Sequence, residues 1–336
     1  QVNAIFQDSR GFVWIGTPNG LNRFDGYGFR HYTKEKDGLP FNYIQEIAED
    51  ADGWLWVVEE GQKSICLFHP DRGEVRALEE HFGKTDSVFA RDKFLHRMVC
   101  DAQGAVWLSS ATANRLYRYH PATGVQVIPA GEIPGKLWPV PFFGNETLWL
   151  TTDRDYIVEM DPTGKVLRQL ENVWLYGDWS LTDAGILALT RKPAGAERLV
   201  FYNLQGEALP ERLPNMQGIS PPYPALIFPF DDKGAYVVHD RLIDRHGKTL
   251  TQWTFAQHDR NNYLWRCFFK DKAGRYWLGD DFGFYTLQIQ KNRFQHYFYQ
   301  KDAKPSLGNS IRGILATSDK LYANLERRGL FEHDLH

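Results

Sequence analysis

Apolar residues run along this chain in short stretches broken by turn formers, and none keeps a helical period for ten residues or more. One stretch recurs. Ile5-Phe6-Gln7-Asp8-Ser9-Arg10-Gly11-Phe12-Val13-Trp14-Ile15-Gly16-Thr17 returns at Ile47–Val58, at Met98–Leu108 and at Phe268–Gly279. Weaker copies centre on Trp149, Ala188, Val237 and Tyr322. The anchors Trp14, Trp56, Trp107, Trp149, Ala188, Val237, Trp277 and Tyr322 follow one another at spacings of 39–51 residues. A period of that size is the mark of a repeat architecture.

Each copy reads as four strands. In the first, a strand ends at Asp8, an Asp-x-x-Gly turn follows, and a second strand runs Phe12 to Thr17. The turn Pro18-Asn19-Gly20 leads to a third strand, Leu21 to Asp25, and Gly26 and Gly28 turn the chain into a fourth, Phe29 to Thr33. Asp suits the first turn because it bonds its own backbone, and Gly because it accepts positive φ. The anchor Trp is expected at the seam between neighbouring sheets, where a large ring covers most area. Four strands repeated radially predict an all-β fold, a β-propeller of four-stranded blades, with an open solenoid as the alternative stacking. Residues 1–310 read as seven blades. Residues 311–336 form a partial eighth repeat, which stops after its third strand and either begins a second propeller or completes an eight-bladed ring; the first reading is preferred.

Composition narrows the function. Lys and Arg number 39 against 42 Asp and Glu, and no run of like charge stands out, which argues against a dedicated nucleic-acid binder. No stretch of 18 apolar residues occurs. Cys66, Cys100 and Cys267 are too scattered for a disulfide framework or a C-x-x-C metal site and read as buried thiols. The chain opens inside a strand-like pattern, Val2-Asn3-Ala4-Ile5-Phe6, and is expected to be a piece of something longer.

The wording of the repeat is more specific than its spacing. Asp8-Ser9-Arg10-Gly11-Phe12-Val13-Trp14-Ile15-Gly16-Thr17, followed by Gly20-Leu21-Asn22-Arg23-Phe24-Asp25-Gly26-Tyr27, resembles the two-component regulator propeller repeat, and Asp302–Arg312 resembles that family's link into a new blade. The resemblance is strong in blades one, two and seven. It fades in blades four to six, where Ala188 and Val237 replace the Trp and the Asp-x-x-Gly turn is altered. Such repeats build the periplasmic sensors of hybrid two-component systems, many from Bacteroidetes. The resemblance implies the ectodomain of an inner-membrane histidine kinase, working as a homodimer, with a second propeller and the kinase portion beyond this fragment. It further implies an oligosaccharide ligand, with signalling to polysaccharide-utilisation genes.

In a propeller the second-to-third-strand loops and the links between blades gather on one face. Here those loops hold Glu59, Glu60, Asn114, Asp153, Arg154, Arg191, His239, Arg241, Asp280, Asp281 and Arg327. Innermost-strand positions add Gln45, His96, Arg97, Trp265 and Arg266, and the links add the rings of Phe41, Tyr43, Trp138, Trp174, Tyr176, Trp179 and Tyr223. Rings stack on sugar C–H faces while Arg and carboxylates reach hydroxyls. The expected ligand-binding set is Trp265, Arg266, His96, Arg97, Glu59, Arg154, His239, Arg241, Asp280 and Asp281. The competing reading is that wet loops are polar by default and the rings pack blade seams.

No catalytic residue, metal or cofactor is assigned. A glycosidase would need two facing carboxylates, and Asp280 with Glu59 or Asp153 is one such pair, but a ring of loops makes a pair of this kind nearly inevitable. A lyase resembling the streptogramin lyase propeller would need a His, for which His96 and His239 are the channel-side candidates. Phosphate-loop and nucleophile-elbow motifs are absent from the sequence. A third reading is a protein-interaction scaffold, using Lys291–Tyr299, whose alternation also fits an outer strand.

Overall fold

The computed structural model describes residues 1–59, 64–82, 95–110, 114–129, 133, 135, 137–144, 147–153, 156–171, 175–182, 185–190, 198–209, 227–230, 235–238, 241–252, 265–287, 311–325 and 329–334. Each copy of the repeat forms its own antiparallel sheet, with strands in chain order. The first sheet holds β1 (Ala4–Gln7), β2 (Val13–Thr17), β3 (Gly20–Phe24) and β4 (Phe29–Tyr32). A short helix α1 (Lys34–Asp37), capped by Thr33, leads to β5 (Ile44–Glu49), β6 (Leu55–Glu59), β7 (Ile65–His69), β8 (Glu74–Ala77) and α2 (Leu78–Phe82). The third sheet is β9 (Leu95–Cys100), β10 (Val106–Ser110), β11 (Arg115–His120) and β12 (Gly124–Pro129). The fourth is β13 (Leu137–Gly144), β14 (Thr147–Thr152), β15 (Ile157–Met160) and β16 (Val166–Leu170). Then come β17 (Leu175–Thr182), β18 (Gly185–Thr190) and β19 (Arg198–Tyr202) in the fifth. The sixth is β20 (Ile227–Pro229), β21 (Tyr236–Val238), β22 (Arg241–Ile243) and β23 (Thr249–Gln252). The seventh is β24 (Trp265–Lys270), β25 (Tyr276–Asp280) and β26 (Phe284–Leu287). An eighth sheet, β27 (Ile311–Ala316), β28 (Lys320–Leu325) and β29 (Gly329–Asp334), belongs to a separate compact unit, Ile289–His336.

Every anchor lies on the second strand of its sheet, and the indoles of Trp14, Trp56 and Trp107 are fully buried. Trp14 packs with Leu55, Val57 and Phe68 of the second sheet, and Trp56 with Val106 and Tyr117 of the third. Trp107 packs with Leu148 and Leu150 of the fourth, and Trp149 with Trp179 and Ile186 of the fifth. Burying roughly 200 Å² per ring is worth about 5 kcal/mol before the entropy of ordering is set against it. The fifth sheet departs from expectation. Ala188 faces back toward Trp149, and its chain neighbour Leu187 faces forward to Ile227 and Tyr236 of the sixth. Strand side chains alternate, so a one-residue offset in alignment swaps the face.

The sequence of shared cores continues through Val237 with Leu278 and returns to its start. Trp277 of the seventh sheet packs with Val2, Ile5, Val13 and Ile15 of the first. Val2 N–H donates to the Asp280 carbonyl at 2.7 Å. Within Gln1–Gln288 the described sheets therefore form a closed cycle, in which first strands lie beside first strands: β1 beside β5 and β24, β5 beside β9, and β9 beside β13. This is the architecture of a β-propeller, with the first strand of each blade innermost.

Candidate functional site

Register divides this unit into two rims. First-to-second and third-to-fourth turns lie on one, here the turn rim. Second-to-third turns and the entries to each sheet lie on the other, the open rim, since β1 begins where β2 ends.

On the turn rim the aspartates of the first-to-second turns are taken up by their own turns. Asp8 Oδ1 accepts from Arg10 and Phe12 N–H, while Oδ2 accepts from Trp14 Nε1 at 2.9 Å. Asp50, Asp101 and Asp271 repeat the pattern with Trp56, Trp107 and Trp277, at 2.9–3.0 Å. Asp101 Oδ2 also takes Arg118 Nη2 at 3.1 Å. The fourth sheet lacks this Asp, and Trp149 Nε1 donates instead to Thr147 Oγ1. Sheets four to six carry the same turn between outer strands, where Asp161, Asn203 and Asp244 each accept two backbone N–H groups. Staples cross the seams: Ser9 to Glu49, Ala51 N–H to the Gly104 carbonyl, and Lys272 Nζ to the Asp8 and Ser9 carbonyls. Burial pushes the Glu49 carboxyl above its ordinary range, against the opposing pull of the Ser9 hydrogen bonds.

The open rim is built differently. The register sets polar residues at the ends of the second strands: Thr17, Glu59, Ser110, Thr152, Thr190 and Asp280. Ser110, Thr152 and Asp280 are buried. The first strands bulge just opposite. Gln45 lies at the register shift between Ile44 and Glu46, Arg97 at that between His96 and Met98, and Arg266 at that between Trp265 and Cys267. A bulge leaves its extra residue unpaired and re-aims it. Trp265 pairs with Asp280 where other sheets pair Ile44, Leu95, Leu137 or Leu175 with Glu59, Ser110, Thr152 or Thr190.

One corner, where sheets seven, one and two meet, gathers the predicted residues most closely. Arg266 Nε donates to Asp281 Oδ1, with both side chains partly exposed. The Gln1 amide lies 3.3 Å from the Tyr43 hydroxyl, and with its oxygen turned inward it accepts from the Arg266 guanidinium at 3.0–3.2 Å. Asn3 Nδ2 donates to the Ile44 carbonyl at 2.9 Å. The ring of Phe282, which sequence reasoning passed over, is 64% exposed on the same turn as Asp281. Asp280 itself, expected as an exposed loop residue, is the last residue of β25 and wholly buried. Its Oδ1 accepts from Phe282 and Gly283 N–H at 2.7 Å each, so half of the carboxylate shapes the turn.

Of the remaining candidates, His96 and Arg97 share β9, Glu59 ends β6, and Arg241 opens β22. Arg154 and His239 lie outside the described residues, as do Glu60, Arg191, Arg327, Trp174, Tyr223 and the stretch 291–299. Asn114, at φ 47°, is structural: its amide donates to the Gly135 carbonyl and accepts from Leu137 N–H. Phe41 and Trp179 pack in seams. All three cysteines are free, and burial pushes their thiols up to about 12. Among the described residues no three His, Cys, Asp or Glu side chains stand together as a metal set, and no helix is long and apolar enough to cross a membrane.

No curated protein matches the sequence. Among solved structures, a streptogramin B lyase is similar at 13% identity and a TM-score of 0.57, over 86% of this chain and 93% of its own. PorZ, a surface component of the type-IX secretion system of Porphyromonas gingivalis, is similar at 14% and 0.50, over all of this chain and 44% of its own. The extracellular domain described as that of a hybrid two component system from B. thetaiotaomicron aligns at 15% and 0.38, over 99% of this chain, which spans 57% of that domain. At such identities the likeness is one of fold, the β-propeller. The sequence is more specific than the fold: a family model, two component regulator propeller, matches residues 1–19 and 38–58. These segments are the opening hairpins of the first two sheets, and it is these two hairpins that match the two component regulator propeller repeat.

Proposed function

We propose that this chain is the ligand-sensing, extracytoplasmic part of a hybrid two-component histidine kinase and is not itself an enzyme. The repeat matched at residues 1–19 and 38–58 carries this reading. On it, Gln1–Gln288 is one seven-bladed propeller and Ile289–His336 begins the next. The full-length protein is a periplasmic-facing homodimer anchored in the inner membrane. The ligand is an oligosaccharide, held on the open rim around Arg266, Asp281 and Phe282. An exposed ring beside an Arg–carboxylate pair offers both a face for C–H stacking and charged partners for hydroxyls.

The test is a thermal-shift screen against defined oligosaccharides, with product analysis of every mixture. Binding to the native state alone raises Tm. A sugar that raises Tm and is recovered intact is the expected result, and Arg266→Ala should weaken that shift without unfolding the protein. A sugar consumed in the mixture would make the chain a lyase or glycosidase and end the sensor reading.

A further inference from the structure

Asp280 resembles the four aspartates of the first-to-second turns, Asp8, Asp50, Asp101 and Asp271, in one half of its carboxylate and differs in the other. In all five, Oδ1 accepts two backbone N–H groups. In the other four, Oδ2 receives an indole N–H. Asp280 Oδ2 is shut off from solvent and has no hydrogen-bond partner among the described residues. A buried carboxylate oxygen without a donor is costly, so its place in the fold is not explained by stability. Its surroundings narrow what would complete it. Arg266, the cation described at this corner, is already engaged by Asp281 and within reach of the Gln1 amide. Phe282, two residues along, presents an exposed ring. Among the described residues no third metal-type ligand joins the two carboxylates.

We propose that Asp280 Oδ2 is the acceptor for a hydroxyl of a neutral polyol ligand whose C–H face lies on Phe282. This rests on the oligosaccharide reading above and assigns its anchoring residue. Oδ2 is covered, so a hydroxyl reaches it only when this corner opens; Arg266 and Asp281 are partly exposed there and Phe282 is exposed. Occupancy is thereby coupled to rearrangement at the contact between sheets seven and one, where the Asp280 carbonyl holds Val2. A sensor needs such coupling, since a ligand shifts a conformational equilibrium only by its difference in affinity for the two states.

The experiment compares Asp280→Asn with Asp101→Asn in the same 336-residue chain, alone and with the panel of neutral and acidic oligosaccharides. Asn keeps Oδ1 for the turn and puts an amide N–H₂ in place of Oδ2, removing the acceptor while costing no hydrogen bond among the described residues. Asp280→Asn should match or exceed the wild-type Tm, whereas Asp101→Asn, which loses real partners, should fall by several degrees. Any neutral sugar that shifts the wild type should bind Asp280→Asn at least tenfold more weakly. A Tm loss in Asp280→Asn as large as in Asp101→Asn would show a structural carboxylate and overturn the proposal. So would a sugar that stabilises both proteins equally, although the sensor reading would survive. No shift across the panel would overturn both the proposal and the sugar reading on which it rests.

Discussion

The two rims of the propeller unit use the same residue types to opposite ends. On the turn rim, Asp8, Asp50, Asp101 and Asp271 each tie a turn to an indole, and Glu49 ties the first sheet to the second through Ser9. On the open rim, Arg266 and Asp281 hold each other at the surface, and Asp280 keeps one oxygen unengaged among the described residues. A polar group whose partners lie within its own turn is accounted for by folding. One whose partner is missing points to chemistry that folding does not explain. Net charge and composition cannot separate these cases, because the residues are the same.

Substitutions can break this contrast, and the largest effect should come from the turn rim. Trp107→Ala opens a cavity in the seam between the third and fourth sheets and strips Asp101 of its indole donor. It should cost about 3–5 kcal/mol in urea unfolding. Asp101→Asn keeps the turn but points an amide N–H₂ at the donors of Trp107 and Arg118, and a loss of about 1.5–3 kcal/mol is expected. Gly104→Ala comes next. Its φ of +80° is left-handed, and a Cβ would stand 2.9 Å from Ala51 Cβ across the seam, so a loss of about 1–2 kcal/mol should follow.

A pH titration sharpens the contrast without a large loss. The folded Glu49 carboxyl is raised above its unfolded value, so the native chain binds its proton more tightly. Stability from this group is therefore present below the ordinary carboxylate range and lost as pH rises through the raised folded value. Glu49→Gln should flatten that slope in unfolding curves taken across the acid range; an unchanged slope would mean that burial does not govern Glu49. The smallest effect belongs to the open rim. Arg266→Ala breaks a partly exposed ion pair and should change stability by no more than about 1 kcal/mol, read by the same unfolding assay. A loss as large as that of Asp101→Asn would erase the distinction between the rims.

What was legible in the sequence was local. Asp8, Gly11 and Trp14 lie within seven positions, and the turn, the strand and the buried indole follow from their own bonding and φ. Hence four-stranded sheets were expected and are described in five of the eight copies, and the Trp anchors lie at the seams as expected. Where the pattern faded, reading by analogy slipped: Ala188 proved to face the preceding seam, and the Asp turn had moved to Asp161, Asn203 and Asp244 between outer strands. Only the tertiary structure brought Gln1, Tyr43, Arg266 and Asp281 to one corner, buried Asp280, and exposed Phe282 beside it. The reason is physical. A turn is decided by atoms a few residues apart, whereas this corner exists because the first sheet packs on the seventh, a contact between residues more than two hundred positions apart that no local period encodes.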